Sequence, residues 1–62
     1  SEYERIKFSD VKEFKILPCR SDYPGKFVIQ FTTYGNDDYE SEEMFDSYKD
    51  ADACITRLFQ SN

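Results

Sequence analysis

The most regular pattern in the chain lies near its C-terminal end. Ala51, Cys54, Ile55, Leu58 and Phe59 recur at i, i+3, i+4, i+7 and i+8. This is one stripe of a 3.6-residue repeat, and it predicts a helix over Tyr48–Gln60. Ser47 marks the start, since its hydroxyl can accept from the backbone N–H of Asp50 while the Asp50 carboxylate reaches back, a capping box with Asp in the Glu position. Upstream the period changes to two. Phe27, Ile29 and Phe31 alternate with Val28, Gln30 and Thr32, which predicts a strand over Phe27–Tyr34 with its aromatic side inward. Asp22–Lys26, with Pro24 and Gly25, has turn chemistry, so Glu13–Cys19 before it reads as a partner strand. Pro18 cannot donate to a ladder, which ends this strand or puts it on an edge.

Gly35–Asp38 form a second turn, and a third strand is expected over Tyr39–Asp46. Its register depends on the loop. A four-residue loop pairing Tyr34 with Tyr39 sets Met44 beside Ile29, whereas a three- or five-residue loop sets Phe45 there. Phe45 is expected inward, because its ring contributes more burial and it sits just before the helix cap. Tyr3, Ile6, Phe8 and Val11 fit neither period, so the first dozen residues read as an extended arm. The whole is an α+β fold, a three-stranded antiparallel sheet packed against one C-terminal helix (β-β-β-α), in a single domain over residues 1–62.

Length limits what such a domain can do. A chain of 62 residues hides only about 60% of the surface that its unfolded form exposes, and its core rarely supplies more than roughly 3–5 kcal/mol. Most apolar residues must therefore hold the fold, which argues against large substrates and buried cofactors; none is expected. The apolar runs are too short for a membrane span or a secretion signal. Two cysteines, Cys19 and Cys54, are too few for a disulfide scaffold, so free thiols and a cytoplasmic location are expected, a single bridge between them being the other arrangement.

Charge changes the picture more than composition does. Residues 1–36 carry six basic groups against five acids, but residues 37–62 carry eight acids (Asp37, Asp38, Glu40, Glu42, Glu43, Asp46, Asp50, Asp52) against Lys49 and Arg57. Nearly all of the net charge of −5 thus comes from residues 37–52. Helix capping accounts for part of it, since Asp46, Asp50 and Asp52 fall at the positive end of the helix dipole.

Reactive chemistry finds little footing. The chain has no histidine, which removes the commonest general base, the commonest metal ligand and any Ser–His or Cys–His nucleophile pair. Cys54 falls on the apolar helix stripe, where an inert buried thiol is the expectation. Glu40 and Glu42 would share a strand face, but acid–base work needs a desolvated carboxyl in a cleft. The acids around the second turn lack the ligand alternation and central Gly of a calcium loop, and there is no Gly-rich phosphate cradle. An enzyme is not expected.

The β-β-β-α layout, with Lys7, Lys12, Lys15, Arg20 and Lys26 on and around the first strand, resembles that of integrase arm-type domains, which would imply DNA reading by the sheet. Glu40, Glu42 and Glu43 on the third strand oppose this, because carboxylates facing phosphates repel rather than release counterions. With Phe45 inward, the outer sheet face would hold Leu17, Val28, Gln30, Thr32 and Tyr34 with Glu40, Glu42 and Met44, an apolar centre with an acidic border gathered on one side of the scaffold. Interfaces favour that layout. The leading expectation is a non-catalytic protein-binding module, a small acidic regulator or inhibitor similar in size and charge to those of phages and mobile elements, some of which mimic nucleic acid. It would dock on a basic partner surface, such as that of a nucleic-acid-binding protein, through Tyr34, Asp37, Asp38, Glu40, Glu42, Glu43 and Met44. The alternatives are a self-associating accessory subunit, in which Met44, Leu17, Val28 and Tyr34 meet a second copy, and a DNA reader using the basic first strand.

Overall fold

The computed structural model of the chain describes residues 6–61. Three antiparallel strands, β1 (Val11–Pro18), β2 (Phe27–Thr33) and β3 (Asp38–Glu40), form a sheet in the order β1-β2-β3, and one helix, α1 (Tyr48–Ser61), follows. This is the architecture that the two periodicities predict. Tyr3 and the start of the expected arm lie outside the described residues.

The helix and β2 supply the core. Ile29 and Phe31 are essentially inaccessible, and the stripe residues Ala51, Cys54 and Ile55 are buried against them. Period-2 alternation puts Phe14 and Ile16 of β1 on the same side, opposite Phe31 and Ile29. Ser47 Oγ accepts from the Asp50 N–H at 3.0 Å, so the expected cap starts the helix. Phe59 remains 47% exposed, yet its ring lies 5.7 Å from Phe8 and 5.2 Å from Phe14, within the range of favourable tilted pairs.

Two parts of the chain depart from the pattern. The arm turns inward after Lys7: Phe8–Asp10 form a single 3-10 turn, and Phe8, 4% exposed, meets Phe31 edge-on at 5.5 Å. A core residue thus comes from a segment without usable periodicity, because one short turn has no repeat to reveal it.

The second departure is at the third strand, which is expected over Tyr39–Asp46 and ends at Glu40. The loop has three residues, Tyr34–Asn36, with Asn36 at φ 66°, a left-handed position that closes three-residue hairpins. Tyr34 is therefore in a turn rather than on the sheet face. This register, with Phe31 opposite Tyr39, brings Ser41 rather than Phe45 to Ile29. Ser41 N–H donates to the Ile29 carbonyl at 2.8 Å. The return bond, which a regular ladder sends to a carbonyl, goes from Ile29 N–H to Ser41 Oγ at 3.0 Å. The hydroxyl itself donates to the Glu43 carbonyl at 2.9 Å. With its ladder duty transferred to a side chain, the backbone leaves the sheet over Glu42–Met44. It returns at Phe45, which exchanges two 2.8 Å bonds with Phe27. Phe45 is inward, as expected, and 6% exposed.

Ser41 is itself 6% exposed, so deleting its hydroxyl strands the Ile29 N–H in the interior. Ser41→Ala is expected to lower unfolding stability by about 1–3 kcal/mol, read as a lower urea midpoint with an unchanged slope. Ser47→Ala, which removes an exposed cap, is expected to cost about 1 kcal/mol in the same assay.

Candidate functional site

The departure of Glu42–Met44 from the sheet shapes the surface on the side away from the helix. Leu17 and Val28 are cross-strand partners, and their side chains fall on that outer face by alternation. One flank is the loop from Cys19 to Tyr23, held by a 2.9 Å bond from Tyr23 N–H to the Arg20 carbonyl. Tyr23-Pro24-Gly25-Lys26 then turn with Gly25 at φ 82° and a 3.3 Å bond from Lys26 N–H to the Tyr23 carbonyl, a position that favours glycine after proline. The other flank is the segment from Glu40 to Met44. Between them lies an open hollow of about 460 Å³. Val28 is on the outer face, as expected, yet only 9% exposed, because the two flanking segments enclose it.

The lining has a distinct chemistry. Leu17, Val28 and Met44 give an apolar interior, while Asp22, Glu40 and Glu42 bring three carboxylates against the single guanidinium of Arg20. Cys19 and Tyr23 complete the loop side. Lys26 pairs with Asp46, and that ion pair ties the end of the emerging segment to the start of β2.

The seven residues expected to bind a partner do not share one surface. Glu40, Glu42 and Met44 meet at the hollow. Tyr34 and Asp37 belong to the β2–β3 turn, at the other end of β2 from the hollow, whereas Asp38 opens β3 two residues before Glu40 and shares its outer face. That turn satisfies itself: the Thr32 hydroxyl donates to the Asp38 carboxylate at 2.8 Å, Asp37 N–H donates to Thr33 Oγ1 at 3.1 Å, and Lys12 Nζ donates to Asn36 Oδ1 at 3.2 Å. Glu43 faces a separate shallow hollow with Phe45, Asp46, Asp50 and Arg57. Asp52 lies with Tyr48 beside β1. The acids are thus divided among several surfaces rather than gathered on one side, because the chain from 37 to 52 passes through a turn, a strand, a bulge and a helix start. Asp22, Arg20, Cys19 and Tyr23 join the hollow without a signal in the sequence; only the pairing of β1 with β2 carries their loop to Glu40.

Among the described residues, no group of three or more His, Cys, Asp or Glu side chains is placed to hold a metal ion, and no helix is long and apolar enough to cross a membrane. No protein-family model matches the chain, and comparisons with curated proteins and with solved structures find no significant match.

Both thiols are free, Cys54 buried in the core and Cys19 half-buried at the hollow. A water-soluble thiol reagent is therefore expected to label Cys19 in the folded protein and Cys54 only after denaturation. Mass spectrometry of the intact chain reads this as one adduct becoming two.

Proposed function

We propose that this chain is a non-catalytic protein-binding module, a small acidic regulator or inhibitor, and that the outer-face hollow is where its partner docks. The observation that carries this reading is the combination at the hollow: Leu17, Val28 and Met44 offer apolar contact while Asp22, Glu40 and Glu42 outnumber Arg20. A partner segment with a long cationic side chain suits both features, since a Lys or Arg stem packs on apolar groups while its head meets carboxylates. Charges at the border then set encounter rate and orientation, and the apolar interior sets residence time. The carboxylates beside an apolar interior favour recognition of a local basic segment.

The test compares recovery of a partner on the tagged full chain, from a lysate of the source cells, for the wild type and for two double variants. Glu40→Lys with Glu42→Lys is expected to lower recovery at least tenfold, with steep salt dependence in the wild type. Asp37→Asn with Asp52→Asn, both away from the hollow, is expected to leave recovery unchanged. Equal recovery with the Glu40 and Glu42 variant would remove the hollow from the function. Retention of the chain on duplex DNA at low salt would replace the proposal with direct DNA reading.

A further inference from the structure

Strand β1 forms one edge of the sheet, and among the described residues nothing pairs with its outer side. The ladder fixes which groups face that edge. Cys19 N–H donates to the Lys26 carbonyl at 2.8 Å. The register continues through Leu17 opposite Val28 and Lys15 opposite Gln30, so the odd-numbered residues from Lys15 onward spend their backbone groups on β2. The bond from Ser41 N–H to the Ile29 carbonyl on the far side of β2 has the matching parity. Phe14 and Ile16 therefore turn their N–H and C=O groups to the open edge, and Pro18, without an N–H, closes the row.

We propose that this edge is self-complementary, and that two copies of the chain pair antiparallel along β1 about a two-fold axis through Phe14, making one six-stranded sheet. The axis follows from the side chains. With Phe14 opposite its own copy, Glu13 of each chain faces Lys15 of the other, twice, in non-hydrogen-bonded pairs where side chains approach most closely. Phe14 exchanges both backbone bonds with its copy, and the irregularity of β1 between Val11 and Glu13 bounds the regular ladder. Moving the axis to Lys15 or Glu13 sets like charges opposite each other. Moving it to Ile16 sets Phe14 against Pro18 and loses donors. A half-residue shift pairs inner with outer side chains.

Charge and apolar surface both favour the chosen register. Lys15 Nζ already lies 3.4 Å from Glu13 Oε1, with each side chain about half exposed; two such pairs across the axis close a ring of four alternating charges on the outer face. On the inner face, Phe14, Phe59 and Tyr48 are 37%, 47% and 60% exposed, and the first two are in ring contact at 5.2 Å. Their meeting with the same groups of a second copy would remove apolar surface that a monomer leaves in water. Lysines and proline on an edge discourage indiscriminate strand pairing. In β1 their placement with Glu13 leaves one register open, as a closed two-fold contact requires.

Sedimentation equilibrium of the full chain, from micromolar to millimolar, tests this. The wild type is expected to pass from monomer to dimer. Lys15→Glu and Glu13→Lys are each expected to weaken association roughly tenfold or more by setting like charges opposite each other twice. The double variant E13K/K15E is expected to restore it, and an equimolar mixture of the two single variants to form a mixed dimer tighter than either alone. Both positions are exposed, and circular dichroism checks that the variants fold. A measurement without variants is amide hydrogen exchange, in which protection at Phe14 and Ile16 should rise with wild-type concentration. A wild type that stays monomeric to millimolar would overturn the proposal. So would single variants that associate as the wild type does, or a dimer abolished by Met44→Asp but indifferent to the charge exchanges.

Discussion

Ile29 and Ser41 meet at the joint on which the rest of this small protein depends. Ile29 lies at the centre of the core, on the middle strand, with both of its backbone groups turned away from β1. Ser41 answers the Ile29 carbonyl with its N–H and the Ile29 N–H with its hydroxyl. A backbone group buried without a partner would cost about 1–3 kcal/mol, a large share of what a core of this size supplies. Because a side chain fills the acceptor position, the Ser41 backbone can turn away without leaving such a group. One substitution of function, hydroxyl for carbonyl, permits the bulge, the return of Phe45 and the hollow on the outer face.

The two faces of the sheet are consequently built by different means. The inner face is closed by side-chain packing: the helix stripe lies on Ile29 and Phe31, and Phe8 seals the end with edge-on and tilted ring contacts. The outer face has no layer above it. There Val28 is shielded by the Cys19–Tyr23 loop and by the Glu40–Met44 segment, which stand away from the sheet and leave space between them. A domain too small for an internal cavity can still present a concave surface in this way, because the concavity is made of chain segments rather than carved from the core.

Charge follows the same logic. The acids of residues 37–52 form one run in the sequence but reach several surfaces, because each structural element through which the run passes faces a different direction. At the hollow, Glu40 and Glu42 are joined by Asp22 from a distant loop. Beside the turn, the Asp38 carboxylate accepts from the Thr32 hydroxyl, and the Asp37 N–H donates to Thr33 Oγ1. Asp46 answers Lys26. A run of like charge in one dimension is therefore not one patch in three; the paired strands decide which carboxylates lie together.

Much of this molecule was legible from its residues alone, wherever a repeat long enough to show a period was present. Ala51, Cys54, Ile55 and Leu58 define the helix, Phe27, Ile29 and Phe31 define the central strand, and Ser47 defines where the helix starts, since each signal is local and needs no knowledge of the fold. Tertiary structure alone decided the rest. Phe8 enters the core through a single turn that has no period, Ser41 ends a strand that β-propensity would extend, and Asp22 and Arg20 reach Glu40 only through strand pairing. Sequence specifies which residues seek burial and which backbone geometry they prefer; the choice of partner for each backbone N–H and C=O is settled between segments distant in the chain, and here that choice placed the hollow.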